Sequence, residues 1–480
     1  MSSVATPAVP SLEILPPRRK VLLVEPAAVN ANVFSAFSGL PLLGPVYLGT
    51  ILEQAGFDVR VVNEDLLGRR LGFSDLDADF LLLTCLTPTV ERGYELAGLF
   101  KRRNPEGKVY MGGPHVSFLT EEALRYADGV VTGEGERVVV DLLRHGTSEQ
   151  VVAGTPVEDL DSLPFPRWDL LVNSDRLRIQ PIMTSRGCPF SCNFCSVTAM
   201  FGRGYRAMSP DRVLAEVERA RTPGIFFYDD NLTANRQRMH AILDGLAGPA
   251  GRRVRWWTGQ VRADVTKDAA LLDKMADTGC ARVYVGFESI SSKTLKEMHK
   301  GQTAEDVRLA IRKFHEHAIP VHGMFIFGAD ADEPEVLRET SEFVNANRID
   351  SVQYMVLTPL PGTELFARME REGRLLHRLW RYYDGMHVVF RPMAFEPYSL
   401  QKLALESYLE FYNLLRALHD GFEAALGTMV QAVRATGIKL RPLRPYLAMN
   451  AAVKLMGKRL IRRWVRGNEE YLKYLSALPA

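Results

Sequence analysis

From Arg18 onward, short apolar runs alternate with stretches in which apolar residues recur every three to four positions. The runs Val21–Pro26, Val59–Asn63, Phe80–Leu86, Val109–Gly112 and Gly129–Thr132 predict strands, because each is apolar, short and bounded by turn residues. Pro45–Ala55, Thr89–Arg103 and Phe118–Tyr126 carry the helical period. Such alternation predicts a doubly wound parallel sheet over residues 18–150, with ligands bound beyond the carboxyl ends of its strands. Those ends carry Gly112, Gly113, Gly133 and Glu134 in loops rich in small residues. Glycines there let a backbone approach a large ligand closely. No G-x-G-x-x-G opens a helix after the first strand, so a dinucleotide fingerprint is absent.

The proline-containing stretch 151–180 reads as a linker crossing the surface between domains. Six further strands follow, at Ile182–Thr184, Ile225–Tyr228, Val254–Thr258, Arg282–Gly286, Val321–Phe327 and Ser351–Leu357. Helical patterns fill the gaps, so residues 181–371 predict a partial (β/α)6 barrel, too short for a closed eight-stranded one. The remainder, 372–480, reads as a helical segment with one helical region from Leu400 to Ala432 and a basic end. Val453–Val465 alternates apolar residues and cations around Trp464, as a helix lying on a membrane surface does.

Composition adds limits more than direction. The 480 residues are 46% hydrophobic and 24% charged with a net charge of +2, which fits a globular protein of more than one domain. Net charge near zero gives no footprint for nucleic acid. No apolar run is long enough to span a bilayer, and residues 1–17 read as a disordered tail without a secretory signal.

The chemistry is concentrated in Ser185-Arg-Gly-Cys-Pro-Phe-Ser-Cys-Asn-Phe-Cys-Ser196, where Cys188, Cys192 and Cys195 are spaced C-x3-C-x2-C. Structural zinc wants four protein ligands, and no histidine lies between His145 and His240. Cys85 and Cys280 sit far away in apolar contexts. Three thiolates can wrap one cluster and leave one iron open. This spacing resembles the signature of the radical S-adenosylmethionine (SAM) superfamily. The resemblance implies a [4Fe–4S] cluster on Cys188, Cys192 and Cys195, with SAM chelating the open iron. Phe194 then flanks the adenine, Asp229 and Asp230 meet the methionyl ammonium, and Glu288 with Ser289 takes the ribose hydroxyls. Arg203 and Arg206 fall where they can pair with the SAM carboxylate or the substrate. A thiolate cluster must stay reduced, which places the protein in the cytoplasm.

Upstream, Leu43-Gly-Pro-Val-Tyr-Leu-Gly49, Gly112-Gly-Pro-His-Val-Ser117 and Gly133-Glu-Gly-Glu136 resemble the cobalamin-binding domain of the cobalamin-dependent radical SAM enzymes. The D-x-H-x-x-G motif that supplies a histidine to cobalt in methionine-synthase-like proteins is absent. His115 reads as a hydrogen-bonding residue rather than a cobalt ligand. The family implies C-methylation of an unactivated carbon in a lipophilic or secondary-metabolite substrate, with an electron donor such as flavodoxin or ferredoxin. Its alternative is a cobalamin-dependent cyclase or oxidase of tetrapyrrole type; a non-catalytic cobalamin sensor would need no cysteine motif. A basic C-terminus adds peripheral contact with the inner face of the membrane. No residue is assigned a catalytic role from sequence.

Overall fold

The computed structural model describes residues 18–28, 39–413 and 443–479, of which 443–453 by backbone alone. The first sheet contains β1 (Lys20–Glu25), β2 (Asp58–Asn63), β3 (Phe80–Thr84), β4 (Lys108–Gly112), β5 (Gly129–Thr132) and β6 (Val151–Ala153). Its order is β2-β1-β3-β4-β5-β6, and every pairing is parallel. Alternate residues of the interior strand β1 serve opposite faces. Val21 and Leu23 join one apolar core, while Leu22 and Val24 join another. That two-sided burial is why β1 reads as an unbroken apolar run rather than an alternating one.

A two-stranded antiparallel ribbon follows β7 (Gln180–Ile182), formed by β8 (Ser185–Arg186) and β9 (Arg206–Ala207). The second sheet adds β10 (Gly224–Phe227), β11 (Trp256–Val261), β12 (Cys280–Glu288), β13 (Val321–Phe327) and β14 (Ser351–Val356). Its order, β14-β13-β12-β11-β10-β7, is sequential and parallel, an open six-stranded barrel wall. Trp257, Phe227, Phe287 and Phe325 are fully buried in the main apolar core. Each such side chain contributes about 2 kcal/mol of hydrophobic burial.

Four expectations change. Phe118–Tyr126 is not one helix but two short ones, Pro114–Phe118 and Thr120–Ala123, broken at Leu119, whose ψ of 53° leaves the helical region. Residues 151–153 form a sixth strand, and Val139–His145 is a helix that the sequence reading passed over. The stretch after Gly154 has many of its residues exposed but is not a loose linker: Val157, Leu160, Leu163 and Trp168 are buried and pin it to the main core. Finally, the helix near Leu400 spans Pro397–Phe411, and most of the expected Leu400–Ala432 helix lies outside the described residues.

The C-terminal helices Leu443–Gly467 and Glu469–Ser476 pack on the helix Pro397–Phe411. Ile461, Trp464, Tyr471 and Leu475 are buried, and a Cβ on Gly457 would meet the Tyr412 ring at 2.4 Å. Trp464 therefore faces the protein core, not a membrane. Among the described residues no helix is long and apolar enough to cross a bilayer.

Candidate active site at the facing ends of the two sheets

The three cysteines occupy the loop that the β8–β9 ribbon closes. Gly187, directly before Cys188, has φ +83°, and a Cβ there would lie 2.2 Å from the Gly204 carbonyl oxygen. Only glycine lets the two arms meet. Cys195 is the N-cap of the helix Ser196–Phe201 and donates its N–H to the Cys192 carbonyl at 3.2 Å. Burial pushes the Cys195 thiol up to about 11 and raises Cys188 as well. Burial thus disfavours the thiolate at Cys188 and Cys195, and the positive charge of metal would offset that cost. Among the described residues no three His, Cys, Asp or Glu side chains converge on a single-ion position. A cluster asks for a different arrangement, one thiolate on each of three separate irons.

Asp229, at the end of β10, is a hub beneath this loop. It is buried and accepts four hydrogen bonds: Thr184 N at 2.9 Å, Thr184 Oγ1 at 2.8 Å, Ser185 N at 2.5 Å and Ser185 Oγ at 2.9 Å. Its acceptor capacity is spent on the ribbon. Asp230 instead faces the space between the sheets; burial first, and then the Asp229 charge, push it up to about 6. Phe194 packs partly against the main core. Arg262 stacks on Phe190 of the loop, 3.8 Å from the ring centre.

Glu288 ends β12 with φ +61°, a conformation rare for residues with side chains. Lys300 holds it: Nζ lies 2.6 Å from Oε1, and both side chains are buried. Gly286 makes room, since a Cβ there would sit 2.5 Å from that same oxygen. Ser289 is buried and accepts the Ser291 N–H at 3.1 Å, closing a turn.

On the first domain, Gly113 has φ +99°, and a Cβ there would lie 2.7 Å from the Cys85 carbonyl oxygen. Gly112, Gly113, Gly133 and Glu134 all line one cavity of about 400 Å³, together with Leu42, Leu43 and Leu48. Its opposite wall is the cysteine loop's helix, through Met200 and Phe201, with Tyr228 and Asp230 beside it. Glu134 ion-pairs with Arg186 at 2.7 Å and with Arg206. Burial opposes its charge, but the bonds from Arg206 and the Val157 N–H, with the Arg186 charge, outweigh it and hold the carboxyl below its ordinary range. Arg206, placed by sequence near SAM or substrate, is thus turned to Glu134, while Arg203 is exposed. His115 lies outside the cavity lining; it is buried with its ring 5.0 Å from Trp380 and 3.7 Å from Glu122.

The sequence matches the radical SAM superfamily model over residues 182–344 and the B12 binding domain model over residues 30–143. An uncharacterized methyltransferase of Pyrococcus horikoshii is 31% identical over 448 residues, covering 84% of this chain and 96% of that protein. The chain belongs to the cobalamin-dependent radical SAM enzymes. Bacteriochlorophyllide d C-12(1)-methyltransferase of Chlorobaculum tepidum is 28% identical, covering 86% of this chain and 91% of that one. Anaerobic magnesium-protoporphyrin IX monomethyl ester cyclase of Cereibacter sphaeroides is 26% identical, covering 78% and 67%. The fold is that of the solved cobalamin-dependent radical enzyme OxsB, with TM-score 0.63, 17% identity and coverage of 96% of this chain and 84% of that one.

A [4Fe–4S] cluster, SAM and cobalamin are the cofactors of this cobalamin-dependent radical SAM enzyme. The residues fit them. The cysteine loop offers three soft donors without a fourth. The cavity presents glycine backbone and an apolar wall to a broad ligand, and its glutamates Glu134 and Glu136 are ion-paired with Arg186. Sequence reasoning missed Lys300, Arg186 and Tyr228. Arg186, at two residues from Cys188, is the one that motif proximity can flag; nothing local ties Lys300 to Glu288.

Proposed function

We propose that this enzyme methylates an unactivated carbon of a lipophilic substrate held between the cysteine loop and the cobalamin-binding domain. The observation that carries the reading is the meeting of the two domains at one cavity: the glycine loops that would seat cobalamin form one wall, Met200 and Phe201 of the cysteine loop's helix form the other, and Tyr228 and Asp230 lie at its edge. A methyl carrier and a radical source held across one largely apolar space would leave the substrate between them, screened from water. When bound, the cluster and SAM supply one-electron cleavage to a hydrogen-abstracting radical, and cobalamin supplies the methyl carrier.

The chain's own residues would divide the work. Cys188, Cys192 and Cys195 hold three irons. Lys300 grips Glu288 Oε1 and leaves Oε2 for the ribose hydroxyls of SAM. Phe194 flanks the adenine and Asp230 faces the methionyl ammonium, while Asp229 fixes the loop from below. Ser289 holds the turn that aims Glu288. Gly112, Gly113, Gly133 and Glu134 seat cobalamin. A small acidic electron carrier, of the ferredoxin or flavodoxin kind, would reduce the cluster.

Anaerobic turnover of reconstituted enzyme with lipophilic polycyclic substrates tests this. The expected result is a product heavier by one methylene, with 5′-deoxyadenosine and S-adenosylhomocysteine formed together. Deoxyadenosine without S-adenosylhomocysteine rejects methylation and favours cyclisation or oxidation, a reading supported by the similarity to the C. sphaeroides cyclase.

Peripheral membrane contact is the access route we propose for such a substrate. Leu455, Met456, Arg459, Arg462, Arg463 and Arg466 form the exposed face of the C-terminal helix. Cations beside apolar side chains suit an anionic lipid surface. Failure to sediment with anionic liposomes at low salt rejects that contact.

A further inference from the structure

We propose that two glutamates of the cobalamin-binding domain and two arginines of the cysteine ribbon form a staple that couples cobalamin binding to retention of the iron–sulfur cluster. The proposal rests on the reading that Cys188, Cys192 and Cys195 hold the cluster and that the cavity seats cobalamin.

The β8–β9 ribbon has only two paired positions, Ser185 with Ala207 and Arg186 with Arg206. A two-stranded ribbon is marginally stable by itself. Here one of its two cross-strand pairs places like charges opposite each other, which drives the strands apart. The compensating charges come from the other domain. Arg186 spans two carboxylates, with Nη1 2.7 Å from Glu134 Oε2 and Nη2 2.5 Å from Glu136 Oε1. Arg206 reaches the same Glu134 through both terminal guanidinium nitrogens, Nη1 at 3.1 Å. The ribbon that closes the cysteine loop is therefore held shut by the loop between β5 and the helix Val139–His145.

That loop is a wall of the cavity. Gly133, Glu134, Gly135, Glu136 and Arg186 all line it, whereas Arg206 does not. The loop is also fixed from behind. Val157 donates its N–H to Glu134 Oε2 at 2.9 Å and accepts from Arg206 at 2.5 Å, and a Cβ on Gly154 would lie 2.1 Å from the Glu134 carbonyl oxygen. A ligand that orders residues 133–136 thus orders the arginines and, through them, the base of the cysteine loop. Thermodynamic linkage makes the effect mutual. Arg186, Arg206, Glu134 and Glu136 are positioning residues in this scheme.

The test measures iron loss from the anaerobically reconstituted enzyme to an excess of a ferrous chelator, with and without hydroxocobalamin. Cobalamin is expected to slow iron loss about fivefold or more in the wild-type enzyme. Hydroxocobalamin should likewise bind the cluster-loaded enzyme more tightly than the cluster-free chain, a comparison that needs no variant. Arg206→Gln removes one arm from outside the cavity; it should still retain cobalamin but lose the protection, and Arg206→Lys should restore part of it. Protection unchanged in Arg206→Gln overturns the staple, as do equal cobalamin affinities with and without cluster. Failure of the wild-type chain to build a cluster or retain cobalamin overturns the underlying reading together with the staple, and so is told apart from a failure of coupling alone.

Discussion

Lys300 Nζ lies 2.6 Å from Glu288 Oε1, and this pair is buried at the end of β12 on a residue whose backbone is left-handed. An ion pair so placed gives little net stability when intact, but removing one partner strands the other charge away from water. Its value is geometric: it fixes a carboxylate that the local backbone would not otherwise hold in place.

Lys300→Met should therefore destabilise the fold by about 3–5 kcal/mol, by leaving Glu288 unpaired. Adding Glu288→Gln should recover a large part of that loss. Urea unfolding of the two single variants and the double variant checks it through the coupling energy. Additive effects would show that the pair does not act as a unit. If Glu288 takes the ribose of SAM, the double variant should regain stability yet bind SAM more weakly.

Asp229 accepts two backbone and two hydroxyl hydrogen bonds from Thr184 and Ser185. Asp229→Asn keeps the shape but turns an NH2 group toward one of those donors. The cost should be about 2–3 kcal/mol, since bonds to a buried charged group are among the strong ones. Because the bonds fix the residues immediately before Cys188, iron content after reconstitution should fall with stability. Iron per chain equal to the wild-type value would separate the hub from the cluster loop.

Glu25 gives the pH dependence. Burial pushes its carboxyl up to about 7, against hydrogen bonds from Asn63 and the Leu42 N–H that pull it down. The folded chain then binds a proton that the unfolded chain has released, over the window from about 4.5 to 7. Stability contributed by this group is complete below the unfolded value and falls as pH rises through the folded one. The fall is at most about 3 kcal/mol. Glu25→Gln should flatten the thermal-stability profile across that window and leave the variant more stable than wild type at pH 8. A profile unchanged by the substitution would place the titration elsewhere.

The strands were legible because their signals are local. All five strands expected in the first domain and all six in the second are present, most within one or two residues of the expected bounds. The short β6 was not, because a run of three apolar residues, Val151–Ala153, is too short to stand out. The Leu119 break was hidden too, because apolar periodicity runs through a residue whose dihedrals leave the helix. Trp464 shows the limit of an amphipathic pattern. The pattern marks a buried face but does not name the surface that buries it, and here that surface is the protein's own core.

What the sequence determined by itself was the donor set and the periodicities. Three cysteines in eight residues remain neighbours in any fold, and parallel strands write their burial into consecutive residues. The tertiary structure alone decided which charges meet. Glu134 lies 52 residues from Arg186 and 72 from Arg206, and Glu288 lies 12 from Lys300. A single glutamate in a sequence is equally a solvated side chain, a ligand-binding group or half of a buried pair. Electrostatic energy depends on separation and on exclusion of water, and both are set only when distant segments pack.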